Sequence, residues 1–293
     1  MELRHIRYFL AVAHEGSFTR AATGLGIAQP PLSVQIKDLE REVGAALFHR
    51  VAYGAELTAA GRAFLKTVEG MPAQSEQAIK LAQRAARGEV GALRAGFTAS
   101  SAFNNVVPGT IRAFRRAYPD VELMLEESNT TRLLAGLHDG TLDVAFLRPA
   151  ASDLSELQVR TLSEESLIVA LPAGHAASGE SSIDLTVLAS DPFILFPRSI
   201  GPTLYDTLIT ACRQTGFEPR LDQLAPQLPS IVNLVAAEIG VAILPASMSQ
   251  VRASGVVFRA TTSVTPSASL SLAYRKGHAS KVVRNFMAVA VSN

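Results

Sequence analysis

The sequence predicts two parts of different fold class, an all-α part over residues 1–87 and an α/β part over residues 91–293. Apolar residues in the first part recur at intervals of three and four, which is the period of an amphipathic helix. Later segments instead alternate short β-branched runs with helical stretches, which is typical of α/β proteins. The first part carries 11 basic and 8 acidic residues, and the remainder carries 16 and 18. This asymmetry favours a polyanion as the partner of the first part.

The composition excludes several classes of protein. A chain of 293 residues with 48% hydrophobic and 18% charged residues is neither largely disordered nor a disulfide-stapled scaffold. Its single cysteine, Cys212, is expected to be a reduced, buried thiol, and the six histidines show no metal-ligand spacing, so neither a metal nor a cofactor is expected. No apolar run approaches 18 residues, and Glu2 and Arg4 interrupt the first one. We therefore expect a cytoplasmic protein without membrane contact.

Three short helices are predicted before residue 44. The first ends at Gly16, the second follows the N-cap Ser17, and the third begins at Gln29, with Pro30 tolerated in its first turn. The predicted inward stripe of the third helix is Leu32, Ile36, Leu39 and Val43. Two short helices joined by a glycine turn are typical of a helix-turn-helix, whose second helix can enter the major groove of DNA. A plain three-helix bundle with a solvated polar face fits the same spacing.

Polar side chains on the outer face of the third helix have the chemistry of DNA readout. Serine and glutamine can reach base edges, and lysine can reach phosphate or guanine. The residues predicted to point outward are Pro30, Ser33, Val34, Lys37 and Arg41. Residues 47–50 and 54–58 are predicted to form a short hairpin, or wing, from which Arg50 would approach the DNA backbone or the minor groove.

A long helix is predicted to follow the wing. It begins at Thr58 and runs for about 30 residues, or roughly 45 Å. One stripe repeats every 3.5 residues and consists of Phe64, Val68, Met71, Ser75, Ala78, Ala82 and Ala85. Such a seam favours pairing with a second copy of the helix, although it could also pack on its own domain. Pro72 predicts a local kink.

Strand and helix patterns alternate from Gly91 onward, which predicts parallel sheets. Four loops, at 98–101, 128–130, 196–203 and 227–230, stand where strands end or helices begin. Anions bind at such helix N-termini. Ser100 and Thr130 are candidate ligand contacts, with simple N-capping as the alternative. Arg148 is predicted either to bind an anion or to form a salt bridge, and Arg198 to be a solvated charge.

Five motifs occur in a fixed order: residues 16–22, 29–33, 39–40, 47–50 and 57–61. With these motifs the chain resembles the LysR-type transcriptional regulators over its whole length. The resemblance implies a winged helix-turn-helix at 1–58, a linker and dimerisation helix at 59–87, and an effector-binding domain at 91–293. That domain would resemble periplasmic binding proteins, with lobe I at 91–161 and 267–293, and lobe II at 162–266. The chain would cross between the lobes near 160–163 and 264–267.

The resemblance also implies two sets of site residues. The DNA-binding set comprises Thr19, Gln29, Pro30, Ser33, Val34, Gln35, Lys37 and Arg50. The effector-binding set comprises Ser100, Ser101, Phe103, Thr130, Arg148, Phe196, Gly201, Pro202, Gln227 and Pro229. Two departures, Ala28 where the family usually has Ser and Val34 where it often has Arg, leave the base preference open.

The function implied is that of a transcriptional regulator controlled by a small effector. Expected partners are double-stranded operator DNA, a carboxylate effector of aromatic or dicarboxylic type, RNA polymerase, and further copies of the chain in a dimer and a tetramer. No catalytic residues are predicted, because the sequence lacks a Gly-x-Ser-x-Gly elbow, a His-Glu-x-x-His motif and a P-loop. A solute-binding protein or an α/β enzyme using the same cleft is the rival interpretation.

Overall fold

The chain folds into two compact units, Met1–Arg84 and Ala85–Asn293. A computed structural model describes residues 1–51, 54–150, 156–262, 265–277 and 279–292. His278 and Val264, which entered the sequence analysis as part of the histidine count and of a crossover, lie outside these ranges. Among the described residues, no helix is long and apolar enough to cross a membrane.

The first unit consists of three helices, a hairpin and two further helices. Its elements are α1 (Leu3–Glu15), α2 (Phe18–Gly24), α3 (Gln29–Val43), β1 (Phe48–Val51), β2 (Gly54–Leu57), α4 (Ala59–Val68) and α5 (Met71–Ala86). Local signals fix the boundaries. Ser17 caps α2 by accepting from the amide of Arg20, and Gly16 and Gly44 end α1 and α3 in the left-handed conformation.

A cluster of aromatic rings holds the hairpin against the helices. The Phe9 ring lies 5.2 Å from Phe48 and 5.0 Å from Phe64, centroid to centroid. Leu32, Ile36 and Leu39 of α3 are buried in the same core, as the spacing predicts. The prediction for Val43 is wrong, because its exposed fraction is 38%. It is the last residue of α3, and the chain turns away at Gly44, so nothing covers it.

The long helix predicted after the wing is instead two helices. α4 ends at Val68 and α5 begins at Met71. Pro72 explains the break, since its missing N–H and its ring prevent a continuous hydrogen-bond ladder. Phe64, Val68 and Met71 pack into the core of the first unit, so this half of the predicted seam contacts its own domain. No residue of α5 is buried, and Ala78, Ala82 and Ala85 are exposed.

The second unit is α/β. Its elements are β3 (Gly91–Phe97), α6 (Ala99–Ala102), α7 (Val106–Ala117), β4 (Val121–Glu127), α8 (Thr130–Asp139), β5 (Val144–Leu147), β6 (Leu157–Pro172), β7 (Ser182–Ile183), β8 (Pro192–Leu195), α9 (Pro202–Gln214), β9 (Arg220–Leu224), α10 (Leu228–Ala236), β10 (Ala242–Pro245), β11 (Val256–Thr261), β12 (Ser267–Arg275) and α11 (Lys281–Ser292). Strand β7 is only two residues long and β9 is exposed throughout, whereas β11 is half-buried.

The sheets are mixed, which corrects the prediction of parallel sheets. Strand β3 pairs in parallel with β4 and β5, and β8 pairs in parallel with β9. However, β12 is antiparallel to both β5 and β6, and β6 is antiparallel to β10 and β11. Alternation of strands and helices predicts direct crossover connections, but it cannot predict how a late strand inserts beside early ones.

The predicted crossover at 160–163 lies inside β6, so it is not a loop. The first half of β6 pairs with β12, from Leu157 opposite Arg275 to Ser166 opposite Ser267. The second half pairs with β10 and β11. One strand therefore runs through both lobes, and 267 begins a strand. The first lobe contains β3 to β5, α6 to α8 and α11, and the second contains β7 to β11, α9 and α10.

Each lobe has its own apolar core. In the first lobe the ring of Phe286 lies 4.9 Å from Phe114 and 5.9 Å from Phe146, centroid to centroid. The second lobe buries a larger cluster that includes Phe193 and Ile231. Helix α7 begins at Val106, whose amide bonds to the side chain of Asn104 at 3.1 Å. The cores hold the strand ends and helix starts that face the cleft.

Candidate nucleic-acid interface and ligand cleft

The outer face of α3 exposes a mixed set of side chains. Pro30, Val34 and Lys37 are exposed, whereas Ser33 and Gln35 are half-buried. On α2, Thr19 is exposed and its carbonyl accepts a hydrogen bond from the hydroxyl of Thr23. Gln29 is the first residue of α3. The predicted DNA-binding residues of the three helices thus lie on α3 and at the start of α2.

Internal hydrogen bonds orient the polar side chains of this face. The side-chain nitrogen Nε2 of Gln29 donates a hydrogen bond to the hydroxyl of Ser33 at 2.8 Å. The side-chain oxygen of Gln35 lies 3.1 Å from Nε2 of His5, while Nδ1 of His5 accepts from the amide of Glu2 at 3.3 Å. Because Nδ1 is an acceptor, the proton of neutral His5 lies on Nε2 and is donated to Gln35. Sequence spacing gave no signal for His5, which is 30 residues away from its partner.

The hairpin forms the predicted wing. Phe48 pairs with Leu57 and Arg50 with Ala55. The side chain of Arg50 lies outside the described residues, so only its backbone position is assigned. Glu40 of α3 accepts hydrogen bonds from the amides of Leu47 and Phe48 at 2.8 and 3.1 Å, which joins the end of α3 to the start of the wing.

A cleft with a volume of about 350 Å³ lies between the two lobes of the second unit. Its walls come from the four predicted loops and the helices that follow them. The lining residues are Thr98, Ala99, Ser100, Glu127, Ser128, Asn129, Thr130, Arg132, Arg148, Phe196, Ile200, Gly201, Leu204, Pro226, Gln227 and Leu228. Six of the ten predicted effector residues are among them. The volume is at the low end for small-molecule sites, so it suits a small ligand.

Neither Ser100 nor Thr130 is a helix cap, which excludes the capping alternative for both. Thr98 caps α6 by accepting from the amide of Ser101, and Asn129 caps α8 by accepting from the amide of Arg132 at 2.9 Å. Ser100 and Thr130 are each one or two residues further along, at the cleft wall. Both are buried, with exposed fractions of 6% and 5%. The hydroxyl of Ser100 lies 3.4 Å from that of Thr98, a long contact that leaves it able to bond to a ligand as well.

Four helices, α6, α8, α9 and α10, begin at this cleft, and two of them lack a side-chain cap. Gly201 has no side chain with which to cap α9, and the side chain of Gln227 does not cap α10. Uncapped amides at a helix N-terminus attract anions. Asn129, which caps α8, lines the same cleft. The positive ends of helices from both lobes therefore face one space.

Arg148 forms a buried ion pair, which is one of the two roles predicted for it from the sequence. Its Nη2 lies 2.5 Å from Oε2 of Glu165, and its Nη1 donates to the carbonyl of Ala268 at 2.9 Å. Burial pushes the pKa of Glu165 upward, but hydrogen bonds from Ser247 and the charge of Arg148 outweigh it, so the pKa lies below its ordinary value. Nε of Arg148 has no hydrogen-bond partner within the described ranges.

Four predicted effector residues do not line the cleft. Ser101 is fully buried and bonds to the backbone of Thr98, and Phe103 packs into the core of the second lobe. Pro202 lines a separate surface groove along α9, and Pro229 lies in the first turn of α10. Beside Ser101, Pro202 and Pro229, the preceding residues Ser100, Gly201 and Leu228 line the cleft instead. Arg198 forms an exposed bidentate pair with Asp206, at 2.7 Å for both bonds.

Sequence reasoning missed some lining residues. Glu127 and Arg132 add charge at the cleft, and Ile200 and Leu204 add apolar wall. Leu204 and Arg132 lie in the first turns of α9 and α8, where residues two or three positions after a cap point back toward the helix start. Applied to the predicted helix starts, this rule on side-chain direction would have identified Arg132 and Leu204.

Cys212 is expected to be unreactive in the folded protein. Its side chain is buried within α9, and burial raises its pKa to about 11. Iodoacetamide at pH 8 should therefore alkylate it far more slowly in the native protein than in urea, as followed by mass spectrometry. Equal rates in the two states would contradict a buried thiol. No cluster of three or more potential metal ligands occurs among the described residues.

Comparison with known proteins agrees with this arrangement. Residues 86–293 match the LysR substrate binding domain, and residues 3–62 match the bacterial regulatory helix-turn-helix protein, lysR family. The chain is 35% identical over 287 residues to the HTH-type transcriptional regulator BudR of Raoultella terrigena, covering 98% of this chain and 99% of BudR. It is 36% identical over 290 residues to AlsR of Bacillus subtilis, covering 99% and 95%.

A solved structure shares the whole fold. Full-length CbnR complexed with its target DNA superposes with a TM-score of 0.87 at 27% sequence identity, covering 99% of this chain and 98% of CbnR. The resemblance predicted from the five motifs is thereby confirmed. Since the two family models together account for nearly all of its length, the chain belongs to the LysR family of helix-turn-helix transcriptional regulators.

Proposed function

We propose that this LysR-type DNA-binding regulator responds to a small carboxylate bound in the cleft of its second unit. The observation that carries the proposal is the meeting of helix starts from both lobes with two hydroxyls that cap no helix, those of Ser100 and Thr130. A carboxylate can accept hydrogen bonds from hydroxyls and from helix N-terminal amides together. Binding between the lobes would favour one arrangement of the unit by its differential affinity.

The walls of the cleft favour an organic acid over an inorganic anion. Phe196, Ile200 and Leu204 give one side an apolar surface, and Arg132 adds a positive charge at another. Such a division suits an aromatic acid, with a carboxylate at the hydroxyls and a ring against the apolar wall. A dicarboxylic acid would place its second carboxylate near Arg132. Arg148 is assigned a structural role, because Glu165 already neutralises it.

On the DNA side, we assign α3 to the major groove. Gln29, Ser33 and Lys37 supply donors and acceptors for bases and phosphate, and Thr19 on α2 and Arg50 on the wing would contact the backbone. The solved structure of CbnR with its target DNA supports this assignment for the first unit. RNA polymerase is a further proposed partner.

Self-association is assigned to α5. Its apolar side chains Ile79 and Leu81 are 56% and 55% exposed, and three alanines of the predicted seam are exposed beside them. Two copies paired along α5 would present two α3 helices to successive half-sites of an operator. A tetramer would follow from pairing of such dimers. No specific observation favours a solute-binding protein or an enzyme in place of a regulator.

Separate variants should uncouple DNA binding from effector binding. Lys37→Ala should weaken binding to a duplex selected from a random library, and the slope of log affinity against log salt concentration should become shallower by about one for each phosphate no longer neutralised. It should leave unchanged the thermal shift produced by a panel of aromatic and dicarboxylic acids. Thr130→Val and Ser100→Ala should abolish the thermal shift and spare duplex binding.

A ligand at about 100 times its Kd adds about 2.7 kcal/mol of stability, which a thermal-shift assay resolves. Neutral amides of the same acids are the control. A stabilising compound that acts equally on wild type and on Ser100→Ala, or a response to the amides alone, would contradict a carboxylate site at these hydroxyls.

A further inference from the structure

One of the side chains on the outward face of α3 is apolar. Val34 lies two positions from both Leu32 and Ile36, or about 200° around the helix from each, so it points directly away from the buried stripe. Its exposed fraction is 54%, the largest among the valines and leucines of α1 to α4. An apolar side chain at this point has no packing role within the first unit.

The polar neighbours of Val34 are already engaged. Ser33 accepts a hydrogen bond from Gln29, and the side-chain oxygen of Gln35 is held by His5. Both side chains are therefore hydrogen-bonded within the first unit. The side chain of Val34 has neither donor nor acceptor, so its own contact with a base would be a van der Waals one.

The surface around Val34 continues the apolar character. A shallow groove of about 750 Å³ is lined in part by Ala28, Pro30, Pro31 and Val34. All four of these residues are exposed. In the major groove, only one of the four bases presents an apolar group, the C5-methyl of thymine. Burial of a methyl group against an aliphatic side chain is favourable, whereas burial of a base donor or acceptor there is not.

We infer that Val34 reads the methyl group of a thymine in each operator half-site, so that base preference at this position comes from apolar contact. Ala28 and Pro30 extend the surface that accepts the methyl group. The inference rests on the proposed placement of α3 in the major groove. It assigns Val34 a specificity role, whereas Lys37 would contribute affinity without sequence preference.

Removal of single methyl groups from DNA tests this inference. A duplex is first selected from a random-sequence library with the full-length protein, and each thymine is then replaced by deoxyuridine, which lacks only the methyl group. Replacement of the contacted thymine in a single half-site should raise the Kd of the wild type about fourfold, the equivalent of one buried methyl group. The same replacement should have a clearly smaller effect on Val34→Ala, because the main partner of the methyl group is gone and only Ala28 and Pro30 remain.

The chain offers a matched control. Val43→Ala makes the same chemical change at another exposed valine of α3, and its sensitivity to deoxyuridine should equal that of the wild type. If Val34→Ala keeps the full response to every replacement, or if no thymine is sensitive in the wild type, the inference is wrong. Failure to select any duplex with the wild type would instead refute the DNA-binding function itself, so the two failures are distinguishable.

Discussion

Replacing Glu165 with leucine is expected to lower the free energy of unfolding of the second unit by about 3–5 kcal/mol, since it leaves the buried charge of Arg148 without a partner. The side chains of Arg148 and Glu165 are 4% and 7% exposed. The other oxygen of Glu165 accepts from the amide of Ser247 at 2.6 Å. One carboxylate therefore joins the end of β5 in the first lobe to the turn after β10 in the second.

Removal of both charges should cost much less than removal of one. The double variant Arg148→Met/Glu165→Leu replaces an ion pair with apolar groups of similar size, and such replacements are often neutral. Urea unfolding of the full-length protein, followed by circular dichroism, measures the free energy of unfolding of the wild type, of Glu165→Leu and of the double variant. Asp206→Leu is the matched control, because its ion pair with Arg198 is exposed. It should leave the free energy of unfolding nearly unchanged. Equal losses in Glu165→Leu and the double variant would refute the buried-pair argument.

The ion pair of Arg148 and Glu165 also predicts that the stability of the second unit depends on pH. Because the pKa of Glu165 lies below its ordinary value of 4.5, its charged form stabilises the folded state. This contribution is complete above that ordinary value and is lost as the pH falls through the lower folded-state pKa. Glu165→Gln should therefore be less stable than the wild type at pH 7, and the difference should narrow in acid. A constant difference from pH 7 to pH 3 would contradict a charged Glu165.

Local patterns predicted the first unit well because its structure depends on short-range signals. The Ser17 cap, the proline at the start of α3 and the buried positions Leu32, Ile36 and Leu39 each follow from neighbours within a few residues. The sequence predicted a kink at Pro72, but not a complete break between α4 and α5. A helical pattern continues through residues 58–87, and only Pro72 marks where the hydrogen-bond ladder must stop.

The second unit was harder to predict because its decisive contacts are distant in sequence. Strand β6 contains Glu164 and Glu165 in its middle, and such charges indicate a loop unless their partners are known. Glu165 is tolerated there only because Arg148 and Ser247 meet it, and Ser247 is 82 residues away. The helix starts at the cleft were found, since they depend on local signals. The cleft residues Arg132 and Leu204 were missed because their orientation depends on where each helix actually begins.

Gly61→Ala is expected to destabilise the first unit by about 3 kcal/mol, at the upper end of overpacking costs, although alanine favours helices over glycine by about 1 kcal/mol. A Cβ atom at Gly61 would lie 2.1 Å from the carbonyl oxygen of Leu47. That oxygen accepts a hydrogen bond from the amide of Thr58, and the Thr58 hydroxyl donates to the carbonyl of Ala46 at 2.7 Å. The clash is with backbone, so no side chain can rotate to relieve it.

Relief of this clash would require α4 to move away from the strand that begins the wing. Since Glu40 anchors that strand to α3, the displacement should reach the DNA-binding face as well as the core. Hydrogen exchange of the full-length variant should show reduced protection in peptides from residues 1–68 and unchanged protection in those from β8 to α10, together with weaker binding to a selected duplex. Gly24→Ala makes the same chemical change at the end of α2, where a Cβ meets nothing within 4 Å. That control should retain or gain stability through helix propensity alone. An equal response of the two variants would mean that α4 is not held at Leu47 by close backbone packing, and the position of the wing would then need another explanation.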